Sequence, residues 1–349
     1  MVRLGIIGFG GMGHWHFEHA STVEGVKFVA AHDIDRAQLD DARRLGLKAY
    51  EKLDDFLGDP EIDAVLVSAS NVAHRDLVIA VANAKKPIIC EKPAALTVAD
   101  FDLMCDAAKK NDVVFTVHQN RRWDKDFRTV KQVMEDGLVG KVFHISSRLY
   151  SIFGYVHGWH RFPDQGGGMI YDWGVHLIDQ IIQLVPSEPV SIWADIKNVI
   201  NEKVDDYFKL LFRFENGLFV EIELGTYMLD IFPRWYVAGD TGTAIVKTFA
   251  ADGEILRTDK ERKELPNRIG NTFSGPTRTF VPISPEDFIH EELPKVPDMA
   301  WTEFYKNFVD VIENAAEPIV KLPQVRLVLR IIEMARESAR IGREVVIPR

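Results

Sequence analysis

Short apolar runs alternate with stretches of helical spacing through the first 120 residues. The runs at 2–8, 26–32, 64–68 (A-V-L-V-S), 87–90 (P-I-I-C) and 113–118 (V-V-F-T-V-H) read as buried strands. Between them, residues 11–21, 36–45, 73–84 and 98–111 carry apolar positions three and four apart, which predicts helices. Repeated strand–helix–strand order predicts a doubly wound parallel sheet with right-handed crossovers, an α/β fold. Near residue 120 the pattern changes. Residues 126–136 and 170–184 have helical spacing, and 140–150 reads as a strand. Five strands then follow in sequence, at 190–200, 206–214, 218–224, 234–238 and 242–247. Asn216–Gly217 marks a two-residue hairpin turn between two of them. Consecutive strands with turn-like joints predict an antiparallel or mixed sheet. Residues 251–297 are polar and carry six prolines, which predicts long loops. Residues 300–315 and 324–341 read as closing helices. The expected organisation is a doubly wound domain over 1–120 and an α+β domain over 121–349.

Composition narrows the function classes. Of the 349 residues, 52 are Asp or Glu and 42 are Lys or Arg, a net charge of −10 that argues against a nucleic-acid footprint. No Lys- or Arg-rich tract offers itself to phosphates or anionic lipids. Only Cys90 and Cys105 are present, which excludes a disulfide framework and fits a reducing, cytoplasmic setting. No apolar run approaches the roughly 18 residues of a membrane span. The apolar N-terminus superficially resembles a signal peptide, but Gly5, Gly8, Gly10, Gly11 and Gly13 fit a different motif.

Gly8-Phe9-Gly10-Gly11-Met12-Gly13 fits G-x-G-x-x-G, placed between a predicted strand and a predicted helix as that motif requires. Gly8 permits a tight turn, Gly10 lets the backbone approach a pyrophosphate, and Gly13 allows close helix–sheet packing. The helix N-terminus then offers free N–H groups to phosphates. Asp33 ends the second strand, where a carboxylate accepts from ribose hydroxyls and repels a 2′-phosphate, so NAD is expected over NADP. Asp35 is a second candidate or a helix cap, and the Arg36 guanidinium keeps NADP open.

Lys92, in Glu91-Lys92-Pro93, follows the fourth strand, at the sheet edge where open α/β folds bind ligands. A lysine there holds a substrate hydroxyl and stabilises a developing alkoxide. Asp172 and His176 are four apart on a predicted helix, so one face carries a histidine to take a proton and a carboxylate to orient it. The preceding Gly166–Gly168 run offers flexibility for a close approach to a ligand. Asp179 reads as structural. His14, His16 and His19 raise a metal hypothesis, but no matching Cys or carboxylate motif accompanies them, and no metal is expected. Trp159, His160 and Arg161 offer an aromatic wall to a sugar ring, or a packed loop. Cys90 reads as a buried small hydrophobe.

Four ordered elements, G8-F-G-G-M-G13, S68-A-S-N-V-A-H74, E91-K-P93 and G166-G-G-M-I-Y-D172-W-G-V-H176, together resemble the Gfo/Idh/MocA oxidoreductase family over nearly the whole chain. The resemblance implies a Rossmann domain followed by a substrate-binding α+β domain. The open, mainly antiparallel sheet of that second domain is expected to build a homodimer or homotetramer. It implies hydride transfer between a nicotinamide and a hydroxyl carbon of a sugar, sugar derivative or inositol. It makes Lys92 the motif lysine and Asp172 and His176 the D-x-x-x-H pair, with His176 as acid/base. Residues 69–74 are similar to the family's T-P-N-x-x-H stretch on the nicotinamide side. Asn71 and His74 match it, while Ala69 and Ser70 replace Thr and Pro. Glu91 stands on the same cofactor side, and Asn120, in N120-R-R-W123, is placed near the nicotinamide ribose. Trp159 and Arg161 join Lys92, Asp172 and His176 around the substrate. H-Q-N-R-R-W-D (118–124) is reminiscent of scyllo-inositol dehydrogenase-like members. Two rivals share the scaffold: a redox-neutral NAD-dependent glycosidase or lyase, and a non-catalytic nucleotide-binding sensor that need not keep Lys92, Asp172 and His176 together.

Overall fold

The computed structural model describes residues 1–230, 232–258, 269–277 and 285–347. Six parallel strands, β1 (Val2–Ile7), β2 (Val26–His32), β3 (Lys48–Tyr50), β4 (Ala64–Val67), β5 (Ile88–Cys90) and β6 (Phe115–Val117), form a sheet of order 3-2-1-4-5-6. The connecting helices are α1 (Gly11–Ala20), α2 (Arg36–Arg44), α3 (Leu53–Leu57), α4 (His74–Asn83) and α5 (Val98–Lys110). Leu4, Ile6, Val65, Leu66, Ile88 and Ile89 are fully buried. Cover on both faces is why these strands are apolar at consecutive positions rather than alternating. β3 escapes the hydrophobic pattern because it is three residues long, partly exposed and at the sheet edge. Strand order reverses between β1 and β4, which places a crevice at their carboxyl ends.

After α6 (Lys125–Glu135) comes β7 (Val142–Tyr150), then a turn of π-helix over Ile170–Gly174 that runs into α7 (Val175–Leu184). β8 (Pro189–Lys197), β9 (Tyr207–Phe214), β10 (Phe219–Gly225), β11 (Trp235–Gly239), β12 (Thr243–Val246) and β13 (Gly253–Arg257) extend the second sheet. β14 (Gly270–Thr272) and β15 (Gly275–Thr277) form a separate hairpin. With β16 (Ile289–Glu291) and β17 (Val345–Val346) the second sheet has order 16-13-12-11-7-10-9-8-17 among the described residues. Its neighbours are antiparallel except β7 and β10, so it is mixed and mainly antiparallel.

Two predictions change. The β9–β10 connection is a three-residue loop: Phe214 N donates to Leu218 O at 3.0 Å, and Gly217 sits at φ +82°. Residues 251–297, expected as loops, supply β13, β14, β15 and β16. β14, β15 and β16 are largely solvent-facing, and β13 buries only Ile255, so they carry little apolar pattern. Parts of that stretch, 259–268 and 278–284, lie outside the described residues.

The last helices, α8 (Glu303–Asn314) and α9 (Leu322–Ile341), join the two halves. Phe304, Tyr305, Phe308, Val325 and Leu329 pack into the first core, while Val328, Ile331, Ile332 and Ala335 pack into the second. No described helix is long and apolar enough to cross a membrane.

Candidate active site

The glycine loop leaves β1 and enters α1. Gly8 has φ +88°, and a Cβ there would lie 2.6 Å from Ala69 N. A Cβ on Gly13 would lie 2.3 Å from the Gly8 carbonyl oxygen. Both glycines are fixed by contact with backbone. At Gly10 and Gly11, by contrast, a Cβ would meet nothing within 4 Å. The start of α1 has no side-chain cap and no acid in its first turn. Its N–H groups and positive dipole end therefore address open space, a cradle that fits a pyrophosphate. The Phe9 side chain is buried, and its backbone N donates to Asp33 Oδ2 at 2.7 Å; Met12 is partly exposed. Asp35 N donates to Asp33 Oδ1 at 2.8 Å. Each carboxylate oxygen keeps a lone pair, so Asp33 fits ribose hydroxyls as well. Asp35 caps α2, accepting from Ala37 N at 2.9 Å.

The loops after β4, β5 and β6 meet this one. Ser68 Oγ donates to Gly8 O at 2.7 Å. Ala69 and Ser70 are partly exposed beside it. Asn71 is buried and donates to Gly166 O at 3.3 Å. His74 is fully buried, with Nδ1 and Nε2 at 2.9 and 3.0 Å from Pro93 O and Ala69 O, and burial lowers its pKa. The Asn71 and His74 side chains thus tie the loops to one another. The Glu91 carboxylate also turns inward, whereas Asn120 is partly exposed at the start of a 3₁₀ turn.

Lys92 and the π-helical turn come together across the two halves. Lys92 Nζ donates to Asp172 Oδ1 at 2.7 Å and to Asp172 O at 3.0 Å. The pair is largely buried, and although burial alone would raise the Asp172 pKa, Lys92 and His160 hold it low. One expectation fails here: no Asp172–His176 hydrogen bond forms. The π-turn makes i→i+5 rather than i→i+4 bonds, so the face shared in an ordinary helix is lost, and the carboxylate serves Lys92 instead. His176 is buried, with an unpartnered Nδ1. Its pKa is driven well down by burial, then by Lys92 and Arg121, so the imidazole is neutral at pH 7.

The glycine run has another role than expected. A Cβ on Gly167 would lie 2.1 Å from His160 O, and one on Gly168 2.2 Å from Asp205 Oδ1. What approaches these glycines is protein. Asp205 accepts from Ile170 N at 2.7 Å, and burial raises its pKa to about 6. The close packing brings His160 Nε2 to 3.6 Å from Asp172 Oδ1, with the Trp159 ring stacked on His160 at 3.8 Å. Trp159 therefore borders the Lys92–Asp172 pair through His160. Arg161 is exposed, its guanidinium 5.3 Å from the Phe162 ring centre.

Sequence reasoning missed Arg121, which lies 4.6 Å over the Trp173 ring, itself edge-on to His176 at 5.7 Å. Neither spacing nor motif signals this column. Asp179 is structural as read, accepting a two-point ion pair from buried Arg122 at 2.8 and 2.6 Å.

Residues 2–119 match the oxidoreductase family with an NAD-binding Rossmann fold, and residues 127–245 match the GFO/IDH/MocA C-terminal domain. The crystal structure of an NAD-binding protein from Listeria innocua is 38% identical, with a TM-score of 0.94 and 99% coverage of both chains. Myo-inositol 2-dehydrogenase of Thermotoga maritima is 33% identical over 227 residues; the match spans 62% of this chain and 66% of that protein, just under two thirds of its length. The scyllo-inositol 2-dehydrogenase (NADP(+)) of Bacillus subtilis is 24% identical over 351 residues, 99% of this chain and 96% of that one. Together with the glycine cradle and the Lys92–Asp172 pair, these matches place the chain in the Gfo/Idh/MocA family of NAD-binding oxidoreductases.

Proposed function

We propose that the protein is an NAD-dependent dehydrogenase acting on a hydroxyl carbon of an inositol, sugar or sugar derivative. The observation that carries this reading is Lys92 Nζ held at 2.7 Å by Asp172 beside a buried, neutral His176. A bound nicotinamide supplies the carbon that accepts hydride in oxidation and donates it in reduction. Lys92, fixed by Asp172, donates to the substrate hydroxyl oxygen and stabilises the alkoxide. His176 takes the hydroxyl proton at Nε2, because Nδ1 is enclosed by protein. In reduction the protonated imidazole returns that proton. The Trp159–His160 stack offers ring faces to the C–H edge of a cyclitol or pyranose. Two of the relatives are named as inositol dehydrogenases, which favours a cyclitol. The Bacillus relative is named for NADP(+), but a carboxylate at Asp33 repels a 2′-phosphate and favours NAD here. Self-association through the outer face of the second sheet belongs to the same reading: Phe232, 54% exposed, lies over Arg148 and Tyr150 on that face.

Absorbance at 340 nm tests the proposal, with NAD⁺ or NADP⁺ against inositols and aldoses. Net NADH formation is expected, and His176→Ala should lower turnover by about 10²–10⁴-fold. Wild-type turnover in His176→Ala overturns the role assignment. Protein that binds nicotinamide but forms no NADH with any of these substrates overturns net oxidation of that substrate class.

A further inference from the structure

Glu91 adjoins Lys92, and its carboxylate is almost entirely buried. Three elements converge on it. His16 Nε2, on α1, donates to Oε1 at 2.7 Å. His118 Nδ1, at the end of β6, donates to the same oxygen at 2.7 Å. The backbone N of Lys92 donates to Oε2 at 3.0 Å. The hydroxyl of Tyr305, on α8, donates to His16 Nδ1 at 2.7 Å, which fixes His16 as the tautomer that gives its Nε2 proton to Glu91.

Burial alone would raise the Glu91 pKa, but the two histidines outweigh it and hold the carboxyl well below the usual range. A buried carboxylate is retained where hydrogen bonds replace its hydration, and three donors do so here. His16, Glu91 and His118 also bring three ligand-type atoms within 4.8 Å of one another, a spacing a metal ion also uses. The 2.7 Å contacts onto a single oxygen are hydrogen-bond lengths, and the Tyr305 donor completes His16 without an ion.

We propose that Glu91 is a positioning residue for the reaction: a buried anion, anchored by the cofactor helix and by β6, that fixes the backbone of the catalytic lysine and supplies a negative charge to the acid/base histidine. The inference rests on the dehydrogenase reading of Lys92 and His176. Beside burial, the positive charges of Lys92 and Arg121 press the His176 pKa down, and the negative charge of Glu91 presses it up. Glu91 therefore moderates the field that Lys92 creates.

The test is the pH profile of oxidation in two variants of the full chain. Glu91→Gln keeps the shape and removes the charge. Its kcat should fall about 10- to 100-fold through misplacement of Lys92, with NAD affinity unchanged. The acid limb, which reports unprotonated His176, should move to lower pH by about half a unit or more. Glu91→Asp keeps the charge but draws the oxygens back, so kcat should fall while the limb stays. If Glu91→Gln does not fold, Glu91→Asp alone decides, and wild-type kcat in it overturns the proposal. A lowered melting temperature with kcat and limb intact in either variant marks a merely structural role and also overturns it. So does one equivalent of divalent metal on the purified protein by elemental analysis. Lys92→Met and His176→Ala are the controls. If they keep turnover, the dehydrogenase reading falls; if they lose it and the Glu91 variants do not, only this inference falls.

Discussion

Lys92→Met replaces an ammonium by an apolar side chain of similar length and leaves Asp172 without the donor that meets it at 2.7 Å. Three consequences separate. The first is catalytic: loss of the group that stabilises the alkoxide should lower kcat/KM by about 10²–10³-fold, or about 2.7–4 kcal/mol of transition-state stabilisation. The second is structural. Breaking a buried pair costs about 3–5 kcal/mol when the remaining charge has no partner. Asp172 keeps slight exposure and His160 at 3.6 Å, so about 3 kcal/mol is expected. At roughly 2–4 °C per kcal/mol for a domain of this size class, the melting temperature should fall by about 6–12 °C. The third carries a sign. Lys92 is a cause of the depressed His176 pKa, second only to burial. Removing that positive charge favours the imidazolium, so the pKa of His176 rises toward its ordinary value. Oxidation needs the unprotonated imidazole, so the acid limb of the residual activity should move to higher pH. Initial rates across pH at saturating NAD⁺ and substrate read the limb, and thermal melts read the stability. A variant with reduced activity but an unmoved limb would refute the electrostatic coupling of the two residues.

Three further predictions follow from the geometry. Gly13→Ala should weaken nicotinamide binding at least about tenfold, because a Cβ 2.3 Å from the Gly8 carbonyl forces the cradle open; titration of cofactor fluorescence reads it. Asp33→Ala should cost NAD affinity and raise the NADP⁺ to NAD⁺ rate ratio, and an unchanged ratio would refute the ribose role. Asp179→Asn should destabilise the fold by about 3–5 kcal/mol, since Arg122 would be left buried without its two-point anion; urea melts read this.

Five strands of the first sheet are legible in the sequence because they are largely covered on both faces and read as short apolar runs, with Gly8 after β1, Asp33 after β2 and Glu91-Lys92 after β5. The β13–β16 end of the second sheet is not legible: β16 is exposed and β13 buries only Ile255, so neither leaves an alternation to read. Lys92 is legible from its position after a strand, and Asp172 from helical spacing. That they pair with each other, rather than Asp172 with His176, depends on a wide helical turn whose i→i+5 bonds no residue type signals. The Glu91 network was equally invisible. His16 and His118 stand 75 and 27 positions away from Glu91, and no spacing or motif links either histidine to it.

The first core takes part of its wall from the far end of the chain, at Phe304, Tyr305, Phe308, Val325 and Leu329. During synthesis the six-stranded sheet leaves the ribosome long before those residues exist. At typical elongation rates that interval is roughly 10–40 s. Through it the nascent protein carries an uncovered apolar flank, and His16 waits for the hydroxyl of Tyr305. The cofactor-binding half is thus a unit in its topology but not in its birth, and it should depend on chaperone shelter until α8 and α9 have emerged.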